Sequence, residues 1–173
     1  VEHNGLKFTL DILDNFPNNN KVASISLALL RNLSNSDKVR ALEAEGKIDI
    51  TSAVIKALQD PDDMRVVEHG LWSILNLMFC SRTFQRTTWI FDNKLGIQLT
   101  LYFPFTDINK NNFVQKGGLE IVDTVLEKHC NDEVLMEPAC LIVQQLAKIA
   151  SLRKVIGTST TIINHLISIM RLH

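Results

Sequence analysis

"GLWSILNLM", Gly70–Met78, sets a tryptophan four residues ahead of an asparagine, with leucines and an isoleucine around them. Leu71, Ile74 and Leu77 recur at the spacing of one helix face, and apolarity this continuous marks a helix buried on most sides. Residues four apart share a face, so Trp72 and Asn76 lie on one line. Two other stretches align with this one without a gap: "SLALLRNLS", Ser26–Ser34, and "ACLIVQQLA", Ala139–Ala147. Each opens on a small residue (Ser26, Gly70, Ala139) and repeats the apolar positions 27, 71 and 140, then 30, 74 and 143, then 33, 77 and 146. An amide precedes the last apolar position each time, as Asn32, Asn76 and Gln145.

A second element precedes these helices. "NGLKFTLDIL" (Asn4–Leu13) matches "GGLEIVDTVL" (Gly117–Leu126), "ITSAVIKALQDPDD" (Ile50–Asp63) takes the same place, and "TTIINHLISIM" (Thr160–Met170) opens another copy. A third, shorter element comes before the glycine in "DKVRALEAEG" (Asp37–Gly46), "NKNNFVQKGG" (Asn109–Gly118) and "SLRKVIGTS" (Ser151–Ser159). "FPNNN" at 16–20 and "QDPDD" at 59–63 supply Pro and N-cap residues between helices. The unit is a short helix, a glycine bend, a medium helix, a turn and a long helix. Val114 and Ile156 are 42 positions apart, Gly5 and Gly46 are 41, and a three-helix unit of about 40 residues is the armadillo period. The units divide as a partial copy at 2–35, copies at 36–81 and 110–150, and a partial copy at 151–173, with an irregular insertion at 82–109.

These residues resemble the armadillo-repeat family, whose third helix reads close to A-L-W-x-L-x-N-L-A, as "GLWSILNLM" does, and whose second helix opens with Gly-Gly and an aliphatic residue, as in "KGGLEIV". The resemblance covers 2–80 and 109–172. It implies an all-α, right-handed superhelical solenoid in which third helices line a groove for an extended polypeptide. On that expectation the partner-binding residues are Ser24, Ala28 and Asn32, then Glu68, Trp72 and Asn76, then Glu137, Leu141 and Gln145. An amide can satisfy a peptide group with both donor and acceptor, and an indole offers flat apolar area. Only one copy has the Trp, the others carrying Ala28 and Leu141, so importin-alpha-like capture of lysine-rich signals ranks below general protein binding. Trp72 as a core residue, and the amides as bonds to a neighbouring helix, are the competing structural readings.

The insertion holds six of the chain's eleven aromatics. Trp89, Phe91, Tyr102 and Phe103 are its candidate contact residues. It reads as a partner-binding loop, as a loop packed over the solenoid, or as a translated non-coding stretch, since periodicity resumes at Lys110. A non-helical loop this long is unusual in a compact domain.

Lys plus Arg number 18 and Asp plus Glu 19, which argues against a nucleic-acid partner held by bulk charge. No run of about 18 apolar residues is long enough to cross a bilayer. Three cysteines, Cys80, Cys130 and Cys140, suit a reducing compartment, cytoplasmic or nuclear, with Cys80 and Cys140 as buried thiols. The histidines lack metal-ligand spacing, no G-x-S-x-G, P-loop or H-E-x-x-H occurs, and "DPDD" caps a helix. The expectation is a non-enzymatic scaffold or adaptor without cofactor or metal. The alternative is an architectural spacer within a larger protein, such as a ubiquitin-ligase adaptor. A continuing chain is expected to stack on the C-terminal end, which would otherwise expose Ile162, Ile163, Leu166, Ile167 and Met170.

Overall fold

The computed structural model describes residues 2–16, 19–59, 63–79 and 105–172, and all the regular structure among them is helical. In chain order the helices are α1 (Glu2–Asn15), α2 (Asn20–Leu33), α3 (Asp37–Ala44), α4 (Ile50–Ala57), α5 (Met64–Met78), α6 (Phe105–Gln115), α7 (Gly118–Lys128), α8 (Glu133–Leu146), α9 (Ala150–Thr158) and α10 (Thr160–Leu172).

Local chemistry sets where several of them begin. Asn19 caps α2 by accepting from the Val22 N–H at 3.2 Å, and Asp49 caps α4 by accepting from Ser52 at 2.8 Å. Asp63 caps α5 through the Arg65 N–H, and Asp132 caps α8 through those of Val134 and Leu135. Each such cap is worth about 1 kcal/mol. Gly46 after α3 and Gly117 before α7 take positive φ, 68° and 86°, the left-handed turn that side chains resist. Gly5 makes no bend: it lies inside α1. Pro138 is the sixth residue of α8, just past its first turn, and is buried.

The three long helices α2, α5 and α8 form one layer, with α5 in the middle. Behind it α1 packs on α2, α4 on α5 and α7 on α8, and α10 packs on α7. Leu27, Leu30, Val54, Leu71, Ile74, Val122 and Ile142 are completely or almost completely buried between the layers. The short helix α3 packs on α6, which also meets α5 and α7.

Buried polar side chains close the seams. Arg40 donates to the carbonyls of Ser34 at 3.1 Å and Asn76 at 3.0 Å, and pairs with Asp37. Glu43 accepts from the Ile50 and Thr51 N–H groups at the start of α4. Asn109 donates to the carbonyls of Arg40 and Leu77 at 3.1 and 3.2 Å. Ser34, Asn76 and Leu77 lie at helix ends, where carbonyls lack intrahelical partners.

Some expectations change here. Helix α6 begins at Phe105, inside the stretch read as irregular. Ile162 is buried, Ile163 and Leu166 are half-buried, and only Ile167 and Met170 of the five expected at the open end are exposed, because α10 seats its first turns against α7. Cys140 is a half-buried free thiol rather than a buried one, Cys130 is a half-buried free thiol as well, and Cys80 lies outside the described residues.

Candidate binding face

The nine residues aligned for a groove lie on α2, α5 and α8, one row per helix. Because the helices stack side by side, the rows are neighbours. Asn32 and Glu137 are exposed, and Ala28, Glu68, Trp72, Asn76 and Leu141 are half-buried. Ser24 and Gln145 are buried and do not line the face. On α8 the Gln145 Oε1 accepts from the Lys148 ammonium at 2.9 Å. Trp89, Phe91, Tyr102 and Phe103 lie outside the described residues.

Trp72 is neither bare nor sealed. Its inner edge packs on the core, and the Arg31 guanidinium from α2 sits over its ring, 5.0 Å from the centroid. The same guanidinium donates to Glu68 Oε1 at 3.1 Å and lies 3.5 Å from His69 Nδ1. Cation–π stacking at such a half-exposed site is worth about 0.5–1 kcal/mol, and the Arg31–Glu68 pair, a third exposed on the Arg side, adds at most about 1 kcal/mol. Sequence reasoning missed Arg31. Its signal is the one charge in "SLALLRNLS", at the position that holds Leu75 and Gln144 in the aligned helices.

Asn76 gives a more decisive answer to why an amide stands beside the tryptophan. Its Nδ2 donates to the Arg31 carbonyl at 2.8 Å, one of the last four carbonyls of α2. The donor arm therefore closes the seam between α2 and α5. Ser73 acts in the same way one turn earlier: its hydroxyl lies 3.2 Å from the Leu27 carbonyl and 2.7 Å from its own helix's His69 carbonyl. Asn32, on α2, is exposed and makes no side-chain hydrogen bond among the described residues.

The electrostatics of the surroundings follow from burial and bonding. Burial pushes the Glu43 carboxyl above its ordinary range, against the pull of its bonds to Thr51 and Ile50. Burial also works to raise Asp49, but the Lys116 ammonium and the Ser52 bonds outweigh it and hold the carboxyl below its usual range. The Arg65 side chain and N–H keep Asp63 low. Burial raises the Cys140 thiol, which makes it a poorer nucleophile. Among the described residues no group of three His, Cys, Asp or Glu side chains is placed to hold a metal ion, and no helix is long and apolar enough to cross a membrane.

Comparison with known proteins finds no matching family model, no matching curated protein and no matching solved structure.

Proposed function

We propose that the chain is a non-enzymatic scaffold, an α-solenoid of armadillo-like repeats with right-handed superhelical stacking, that binds an extended protein segment across α2, α5 and α8. The observation that supports this reading best is the centre of the layer. There the half-exposed Trp72 and its stacked Arg31 stand between Ala28 and Leu141, with Asn32 and Glu137 exposed at the margins. Arg31 and Glu68 offset each other's charge, so the segment is selected by apolar and amide contacts, and a lysine-rich signal is a poor fit. Such a protein works in a reducing compartment, cytoplasmic or nuclear.

A second reading, the architectural spacer, has its own support: Asn76 is committed to α2, and Ser24 and Gln145 are buried. The two separate in a selection of displayed random peptides on the folded chain. Peptides that bind the native chain and are lost on an Ala28→Glu/Leu141→Glu variant of unchanged circular dichroism support the groove. No enriched peptide, or peptides indifferent to the substitutions, leaves the spacer.

A further inference from the structure

One row of side chains is buried or half-buried in two of the three aligned long helices and exposed in the third. In α5 the row is His69, Ser73 and Asn76, half-buried, buried and half-buried against α2. In α8 it is Pro138, Ile142 and Gln145, all buried. In α2 the same positions are Ile25, Leu29 and Asn32, and all are exposed, Ile25 at 73% and Leu29 at 46%. At about 100° per residue, Ile25 and Leu29 each stand about 160° around α2 from Leu27, whose carbonyl meets α5. The row therefore looks out of the layer on the side away from α5. Phe8, 65% exposed on the neighbouring α1, aligns with Ile121 of α7, which is half-buried.

We propose that this outer edge of α2 is a docking surface for an amphipathic α-helix laid parallel to α2, with its last-turn carbonyl accepting from Asn32 Nδ2. The surface continues an interface already built in the molecule, and that interface specifies its occupant. Ser73 meets the Leu27 carbonyl and Asn76 meets the Arg31 carbonyl. The two sets of numbers rise together, so α5 and α2 run parallel, and Asn76 donates to a carbonyl at the end of the helix beside it. Asn32 holds Asn76's place with its donor unused, and Ile25 and Leu29 replace His69 and Ser73 with apolar area. An extended strand would leave that pattern unmatched, because its carbonyls alternate in direction. The opposite edge of the layer differs: the α8 positions aligned with Leu27 and Arg31 are Cys140 and Gln144, half-buried and exposed, and offer little apolar area. The edge shares Asn32 with the margin of the groove above and is otherwise separate from it, and its occupant is a helix whether or not the groove takes a peptide.

The probe is a helix-locked peptide with the α2 sequence, because α2 is the helix on which α5 rests the corresponding row. Titrated against the whole chain, the peptide is expected to bind saturably. Ile25→Glu/Leu29→Glu is expected to weaken it at least tenfold and Asn32→Ala by about 2- to 12-fold, the range of one net hydrogen bond, while Leu141→Glu in the groove leaves it unchanged. All these positions are exposed or half-exposed, and circular dichroism checks that each variant folds. Absence of saturable binding overturns the assignment, as does binding indifferent to Ile25 and Leu29. So does a native dimer in sedimentation that Ile25→Glu dissolves, since a second copy then covers the edge.

Discussion

Asn76 and Asn32 are the same residue type at the same place in two aligned helices, yet one has a partner and the other has water. Replacing Asn76 by Ala strands the Arg31 carbonyl, and urea denaturation is expected to show a loss of about 1 kcal/mol. Asn32→Ala is expected to change stability by no more than about 0.5 kcal/mol; equal losses at the two sites would contradict the bonding described. The sequence aligned both amides on the long helices and offered each a groove role or a bond to a neighbouring helix. It was silent on which were occupied, because the Asn76 acceptor lies 45 residues away and no local pattern encodes it. Glu43 carries a second test. Its folded carboxyl is raised above the ordinary 4.5, so the folded chain binds that proton more tightly than the unfolded chain. Its contribution to stability is full below about pH 4.5 and is lost as pH rises through the raised folded value. As pH rises above about 4.5 the native chain should therefore lose stability relative to Glu43→Gln; urea midpoints of the two that stay parallel would remove the effect. Asp49, held low, acts with the opposite sign and loses its contribution only as pH falls below its ordinary range.

Among the elements, helix starts and apolar stripes were legible because caps and periodicity are local properties. The start of α6 was not. Its sequence, "FTDINKNNFVQ", has a weak apolar stripe, and it docks with Asn109 and Lys110 buried beside Phe113. A helix seated largely by polar groups has no signature in a search for hydrophobic spacing. The join of α6 to α7 is also the tightest backbone approach described: a Cβ built on Gly118 would fall 2.3 Å from the Phe113 ring, whereas one on Gly70 meets the tip of the Leu58 side chain at 2.8 Å. Gly118→Ala is expected to cost about 2 kcal/mol, because a buried ring must move. Gly70→Ala should cost less, since the overlap is smaller and falls on a branched aliphatic side chain instead of a rigid ring, and Ala favours helix by about 1 kcal/mol. Thermal melts of the two variants in the reverse order would refute this.

Across the whole molecule, described residues on either side of the insertion are joined directly. Asn109 ties α6 to the carbonyls of Arg40 and Leu77, and α6 packs on both α3 and α5. Replacing 82–104 by a flexible Gly/Ser linker of about eight residues is therefore expected to keep a single cooperative transition, with a shift of a few degrees at most. Two separate transitions would mean that the insertion itself joins the halves. The far end is fastened more lightly. Among the described residues α10 meets α7 and α9, and one side-chain pair, His165 with Asp123 at 3.0 Å, links it to α7. Amide hydrogen exchange is expected to be faster in α10 than in α5, and faster still in α10 of His165→Ala.

Among the described residues, the side-chain bonds that join one sequence copy, or the start of α6, to the main-chain carbonyls of another copy run the same way, while Arg40 to Asn76 runs forward within its own copy. Ser73 to Leu27, Asn76 to Arg31, Arg40 to Ser34, and Asn109 to Arg40 and Leu77 each run from a later residue to an earlier one. The molecule thus has a direction of assembly as well as a direction of chain. During synthesis from the N-terminus, each of these acceptors has left the ribosome before its donor appears, and the arriving segment carries its fasteners to a partner already waiting.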